Sequence, residues 1–231
     1  MLVDAHAHPT FKNSDRTILE EWTNHRLFAA ATDLQNWQAL RHLQGQFPQL
    51  QTTLGIHPWK VRMQRQSKEM KQIAHILHQE PIVIGEVGLD NSPAYRNSIP
   101  QQLDVLDFFL QLGCSLKRPM VVHIVKAHHL FLERYKRFPR LKVYLHRYSG
   151  NRKMVHDYQR YNVFYGVAVN ETQHLAKRGI PLSQILLESD GLVSVGTFER
   201  ALSALAKHYQ MREEHMAEQL QENCQHMYEV D

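Results

Sequence analysis

The 231-residue sequence predicts a closed (β/α)8 barrel of the TIM type. Three observations carry that prediction. Eight short apolar runs alternate with longer segments of mixed polar and apolar character. Most of the runs contain Val, Ile or aromatic residues, as parallel strands buried on both faces do. Histidines and carboxylates collect at one end of most runs, and barrel enzymes carry their chemistry at the C-terminal ends of strands. An open doubly wound sheet is the alternative, but it rarely needs eight parallel strands. The length falls slightly below the roughly 250 residues typical of such barrels, so some connections are expected to be trimmed. Residues 1–231 are expected to form one domain.

The first run, Leu2–His6, continues into Ala7-His8. With a side-chain period of two, Asp4, His6 and His8 share one face. The second, Leu27–Thr32, ends beside Asp33 and is less telling. The third, Thr52–His57, ends in Gly55-Ile56-His57-Pro58. The fourth, Ile82–Val87, carries Glu86 within Gly85-Glu86-Val87-Gly88-Leu89-Asp90. The fifth, Met120–Ile124, delivers His123. The sixth, Lys142–His146, ends in its histidine. The seventh, Val163–Val169, ends beside Asn170, and the eighth, Ile185–Glu188, ends in Glu188-Ser189-Asp190. Among the helices the clearest spans about Ser98 to Lys117. Ser98 is placed to cap it and Pro100 suits its first turn. Leu103, Leu106, Phe109, Leu110 and Leu112 form its apolar stripe, and Pro119 stops it.

Composition excludes several classes. An apolar content of 43% argues against disorder. No apolar run approaches the roughly 20 residues of a membrane span. Met1-Leu2-Val3-Asp4 shows no basic region followed by an apolar run, so no signal peptide is expected. Cys114 and Cys224 lie far apart, which removes both a disulfide framework and a cysteine zinc knuckle and fits a cytoplasmic protein.

The chain holds 16 histidines. Any one of them after a strand is ordinarily a loop or core residue, and an HxH pair arises by chance in so histidine-rich a chain. The ensemble is more informative, because random scatter would populate both ends of the strands. Two imidazoles on one face near a barrel mouth suit a metal. His25, His42, His75, His78, His128, His129, His156, His174, His208, His215 and His226 fall outside the pattern and are expected to be solvated or capping residues.

Taken in order, these motifs resemble the TatD family of metal-dependent deoxyribonucleases, within the amidohydrolase superfamily. The resemblance runs from residue 3 to residue 190 through Asp4-x-His6-x-His8, Gly55-Ile56-His57-Pro58, Gly85 to Asp90, His123, His146-Arg147-Tyr148-Ser149-Gly150 and Leu187-Glu188-Ser189-Asp190. Asn223-x-x-x-Met227-Tyr228 is similar to the family's closing helix. The resemblance implies two divalent ions of the Mg, Mn or Zn kind. His6 and His8 would hold one, His123 and His146 the other, and Glu86 would bridge them. Asp190 would ligate a metal and take a proton from the attacking water. His57 would hydrogen-bond or protonate a phosphate oxygen, and Glu188 would orient a ligand or water. Ions about 3.5–4 Å apart suit in-line displacement at a phosphodiester.

The sequence departs from the family at three places. His123-Ile124-Val125-Lys126 lacks the usual Arg-Asp pair, Arg147 and Tyr148 replace a small residue and Phe, and a Pro-rich loop after Asp190 is missing. Lys126, Arg147, Tyr148 and Trp59 are the substrate-contact candidates, the two aromatics as stacking surfaces for bases of a single strand, with a cover for the barrel rim as the equal alternative for Trp59. Between Lys117 and Arg160 there are 12 Lys/Arg and two acids, and between Lys60 and Lys71 five against one. That basic sector suits guidance of a polyanion. From Glu199 to Asp231 the balance reverses, with seven acids and three Lys/Arg.

The expected substrate is therefore DNA, at single strands or ends, cleaved by an exonuclease-like metal-dependent hydrolase. A hydrolase of small esters, amides or phosphomonoesters on the same centre is the second reading. A noncatalytic binding partner is the third.

Overall fold

The computed structural model describes residues 1–10, 12–62, 66–174 and 178–230; the side chains of residues 13 and 174 also lie outside the description. In chain order the strands are β1 (Val3–Ala7), β2 (Arg26–Ala29), β3 (Leu50–Thr52), β4 (Ile84–Asp90), β5 (Met120–Val125), β6 (Val143–Leu145), β7 (Val163–Ala168) and β8 (Ile185–Glu188). Helices α1 (Asn13–Glu21), α2 (Leu34–Gln46), α3 (Gln66–Gln79), α4 (Ile99–Leu116), α5 (His128–Tyr135) and α6 (Arg152–Tyr158) lie between strands. Helices α7 (Val195–His208) and α8 (Glu213–Tyr228) follow β8.

Every ladder is parallel and joins consecutive strands, β1 to β3 in one sheet and β4 to β8 in another. The ladder is interrupted at two seams. Each carries an isolated bridge, Leu54 to Ile84 at one and Ala7 to Gly191 at the other. Backbone bonds reinforce both: Leu54 N–H donates to Val83 O at 3.1 Å, and Asp190 N–H donates to His6 O at 2.9 Å. The strands thus follow one another around a (β/α)8 barrel, the class the alternating pattern predicts.

All eight expected strands exist, with shifted bounds. The third differs most. It pairs over Leu50–Thr52, ahead of the expected Thr52–His57, and the following chain joins β4 through one isolated bridge, Leu54 to Ile84. Gly55 explains part of this. A Cβ there would stand 2.8 Å from Glu86 O, so the backbone passes too close to β4 for any larger residue. The fourth strand runs on to Asp90, past the expected Val87.

Helix α4 matches its pattern. Leu106, Phe109, Leu110 and Leu112 are buried, each worth roughly 1.5–3 kcal/mol of apolar transfer, while Leu103 is half-buried at the edge of the stripe. Ser98 stands at the cap position but does not cap. Its hydroxyl donates to Tyr95 O at 2.9 Å, and its backbone is already turn-like. Lys117 ends the helix in the left-handed region, φ 53°. After β8, Ser194 caps α7, its Oγ accepting from Thr197 N–H at 3.3 Å, so helix resumes five residues past Asp190.

Period-two alternation layers the barrel interior. Val121, Tyr144, Phe164 and Leu186 each lie two residues before His123, His146, Gly166 and Glu188 on the same strand face. The first four pack in a cluster with Cys224, Met227 and Tyr228 of α8. Tyr228 stacks on Phe28 and donates its hydroxyl to Ala5 O at 2.5 Å. Asn223 donates to Leu182 O and Ile185 O at 2.8 and 2.9 Å. The closing helix therefore plugs the N-terminal end, and polar side chains occupy the C-terminal end.

Candidate metal centre

Strand ends deliver the site. His6 and His8 come from β1 and the residue just past it, Glu86 from β4, His123 from β5, His146 from the end of β6, and Asp190 from the turn after β8. The structure brings all six together with His57. Glu86 is the hub. Its Oε2 lies 3.5 Å from His6 Nε2 and 3.3 Å from His8 Nε2. Its Oε1 lies 2.7 Å from His146 Nε2, 3.1 Å from His123 Nδ1 and 3.3 Å from His57 Nε2. One carboxylate thus faces two imidazole groups with two different oxygens. Asp190 Oδ1 stands 3.8–3.9 Å from nitrogens of His6, His8 and His146.

Burial makes this arrangement demanding. Glu86, His6, His57, His123 and His146 are all buried. Glu86 Oε2, His6 Nδ1, His123 Nε2 and His146 Nδ1 have no hydrogen-bond partner, which buried polar atoms ordinarily require. His6 Nε2 and His8 Nε2 are 3.0 Å apart, close enough to share one proton or one cation but not two protons. Among the described residues three overlapping donor sets, His6-His8-Glu86, His6-His146-Asp190 and His57-Glu86-His123, each place their candidate ligand atoms within 4.8 Å of one another. Imidazole with carboxylate suits divalent Zn or Mn, so the residues present fit metal ions.

Local electrostatics sort the imidazoles. Burial works against a charged Glu86, but the imidazoles of His146 and His57 and hydrogen bonds from His123 and His146 hold its carboxyl well below the usual range. Burial beside the like-charging His146 drops His6 to about 3, so it stays neutral and ready to ligate. His8 and His123 move the other way. Burial is outweighed by Glu86, with help from Asp190 at His8 and from Asp90 at His123. His57 is lowered by burial despite Glu86. Its Nδ1 accepts from Trp59 N–H at 3.1 Å, which puts the proton of the neutral ring on Nε2. The nitrogen facing Glu86 is then a proton donor.

The remaining site candidates fare differently. Arg147 lines the cavity and pairs with Asp190 Oδ2 at 2.9 Å and with Glu171 at 3.5 Å. Trp59 lines the same cavity and is exposed. Tyr148 does not reach it as a stacking surface. It is 1% exposed, edge-on to Tyr165 and His128, with its hydroxyl on Asn151 O. Arg147, at φ 42°, breaks the strand alternation and turns the next side chain into the core. Lys126, at φ 51°, is exposed and absent from the cavity lining for the same reason. Glu188 is fully buried below the cavity. It accepts from the Tyr144 hydroxyl and the Arg147 backbone N–H, so it anchors the turn that carries His146 instead of touching the cavity. Arg65 of the basic sector and the His174 side chain lie outside the described residues.

Beside the site, the buried acids Asp90 and Asp4 were not assigned from sequence. Asp90 lies 3.5 Å from His123 Nε2 and accepts from Trp59 Nε1 at 2.6 Å. Asp4 accepts from the backbone N–H groups of Ser189 and His6 at 3.0 and 3.1 Å, tying β1 to the end of β8. Both signals were present as period-two extensions, Glu86-x-Gly88-x-Asp90 and Asp4-x-His6. Among the off-pattern histidines, His25 Nδ1 accepts from Leu2 N–H, as a capping residue would. His128 is packed against Tyr148 and Tyr158, not solvated.

Fold and site together define a (β/α)8 barrel with imidazoles and carboxylates gathered at one rim. The chain belongs to the TatD related DNase family, whose sequence profile matches residues 3–229. It is a family of metal-dependent hydrolases. The chain is 32% identical over 148 residues to the human 3'-5' RNA nuclease TATDN2, covering 59% of this chain but only 19% of that protein. It is 24% identical over 208 residues to the uncharacterized metal-dependent hydrolase YjjV of Escherichia coli, covering 81% of this chain and 78% of YjjV. The crystal structure of YjjV matches the fold with a TM-score of 0.82 at 21% identity, over 100% of this chain and 98% of that one. A TatD family hydrolase from Entamoeba histolytica matches with a TM-score of 0.82 at 12% identity, over 98% and 97%.

Proposed function

We propose that the chain is a divalent-metal-dependent phosphodiesterase that removes nucleotides from DNA ends or single strands. The observation that carries this reading is Glu86, whose Oε2 faces His6 and His8 while Oε1 faces His123 and His146. His6, His8, Asp190 and Glu86 Oε2 would hold one ion; His123, His146 and Glu86 Oε1 would hold a second. Such ions, when bound, supply Lewis acidity and lower the pKa of water.

The chain's own groups do the rest. Asp190 presents Oδ1 to the imidazoles and accepts the proton of the attacking water. The water oxygen bonds to phosphorus, the bond to the departing sugar oxygen breaks, and that oxygen leaves as a hydroxyl carrying the proton that Asp190 took from the water. His57 Nε2–H donates to a non-bridging phosphate oxygen and so stabilises charge as it builds. Arg147 keeps Asp190 oriented. The cavity of about 620 Å³ fits a nucleotide. Cys114 and Cys224 are free thiols, in keeping with a cytoplasmic enzyme, and no described helix is long and apolar enough to cross a membrane.

The test is hydrolysis by protein stripped with chelator and reloaded with Mg, Mn or Zn. Substrates are single-stranded DNA, the matching RNA, and small phosphomonoesters, carboxylic esters and lactones. Release of nucleotides that depends on added metal and weakens with salt supports the reading. Turnover of small esters alone contradicts it and supports the second.

A further inference from the structure

We propose that Trp59 and Tyr95 form a stacking subsite for one unpaired nucleobase, that of the nucleotide next to the scissile phosphate. The proposal rests on the nucleic-acid reading above. Met1 and Trp59 are the large apolar side chains left exposed among the described residues, and Trp59 is 54% exposed. An indole kept in water at the lip of the cavity that holds the site is a contact surface awaiting a flat apolar partner.

Trp59 is held, not mobile. Its ring lies almost parallel to Tyr95, centroids 5.2 Å apart at 11°. Its N–H donates to Asp90 Oδ2 at 2.6 Å, and Asp90 Oδ1 is itself fixed by Ser92 N–H at 2.8 Å. It meets the His57 and His123 rings edge-on, at 4.7 and 5.9 Å. Tyr95 covers one face, so the surface left open belongs to the rest of the ring, which borders the cavity. A platform fixed at three points loses little entropy when a base settles on it.

Position and charge select the occupant. The indole adjoins His57 and His123, so a base stacked on it belongs to a nucleotide flanking the bond cleaved there. Arg96 neighbours Tyr95 in sequence and is exposed, while Lys60, beside Trp59, is exposed and pairs with Asp33 at 3.2 Å. Cations around an aromatic platform are how single strands are gripped without sequence preference. A base held in a duplex cannot present its face to Trp59, so the subsite selects an unpaired nucleotide at the cut.

The experiment compares kcat/KM on a single-stranded oligonucleotide with that on oligonucleotides made abasic on one side or the other of the scissile bond. Wild type, Trp59→Ala, Trp59→Phe and Tyr95→Leu are assayed with the metal that supports activity. Wild type is expected to favour the base-bearing strand over one of the abasic strands by about tenfold or more. Trp59→Ala should erase that ratio, Trp59→Phe restore part of it, and Tyr95→Leu reduce it. An undiminished ratio in Trp59→Ala, or none in wild type, overturns the subsite while leaving the nuclease reading standing. Wild type that turns over small esters but no oligonucleotide overturns both.

Discussion

Arg147 Nη1 lies 2.9 Å from Asp190 Oδ2, and both residues occupy the left-handed backbone region, φ 42° and 50°. Such a conformation costs a non-glycine residue about 1 kcal/mol or more, so each must be held. Glu188 holds Arg147 through its backbone N–H, and His6 O holds Asp190 through its own. The pair leaves Asp190 Oδ1 turned toward the imidazoles.

Arg147→Ala is therefore expected to weaken divalent-metal binding by roughly tenfold or more, the usual effect of losing a group that orients a ligand. Arg147 is half-exposed, so the loss of stability should stay below about 1 kcal/mol. Metal titration and urea unfolding of the same variant check both. Unchanged metal affinity would remove the orienting role.

Metal affinity should depend on pH with a definite sign. A ligand imidazole must lose its proton to bind a metal. His8 and His123 titrate above the ordinary 6.5 because Glu86 outweighs burial, so below their raised values they carry protons that a metal must displace. His6, at about 3, carries none in the working range. Affinity should fall by about tenfold or more between pH 8 and pH 6, with proton release on binding. Calorimetry in buffers of different ionisation enthalpy measures both, and a pH-independent affinity would contradict the assignment.

Glu188 offers a contrast between shape and charge. Burial pushes its carboxyl well above the usual range, and its two oxygens accept from Tyr144 and Arg147. Glu188→Ala strands both donors and should cost about 2–4 kcal/mol. Glu188→Gln keeps an acceptor for Arg147 N–H and should retain most stability and activity. A folded Glu188→Gln without activity would show that the carboxylate acts chemically, not as an anchor.

Gly88 is the backbone control. It lies at φ 150° beside His123, and a Cβ there would collide with the His123 carbonyl. Gly88→Ala should cost about 3 kcal/mol in urea unfolding and displace His123. A variant as stable as wild type would mean that the β4–β5 register tolerates slack.

Strand count and the histidines and carboxylates at the strand ends were legible from buried runs of period two, and the ligand set from the resemblance of those motifs to the TatD family. Glu86, His123 and His146 sit where alternation puts them. Legibility ended where the backbone leaves that period. Tyr148 and Lys126 follow or occupy left-handed residues, and the turn redirects them away from the cavity. Gly55 lets the chain after β3 pass too close to β4 to pair as a strand, which moved the expected third strand. The Trp59–Tyr95 stack joins two loops 36 positions apart, and no local pattern encodes such a meeting.

The central claim is that Glu86 ties two groups of imidazoles into one metal centre. Metal content per chain tests it most directly, measured on wild type and Glu86→Ala after chelation, reloading with Zn and removal of free ion. Wild type should retain about two ions per chain and the folded variant fewer than one. Equal content in both would contradict the account, and wild type that retains none would return the chain to a binding platform.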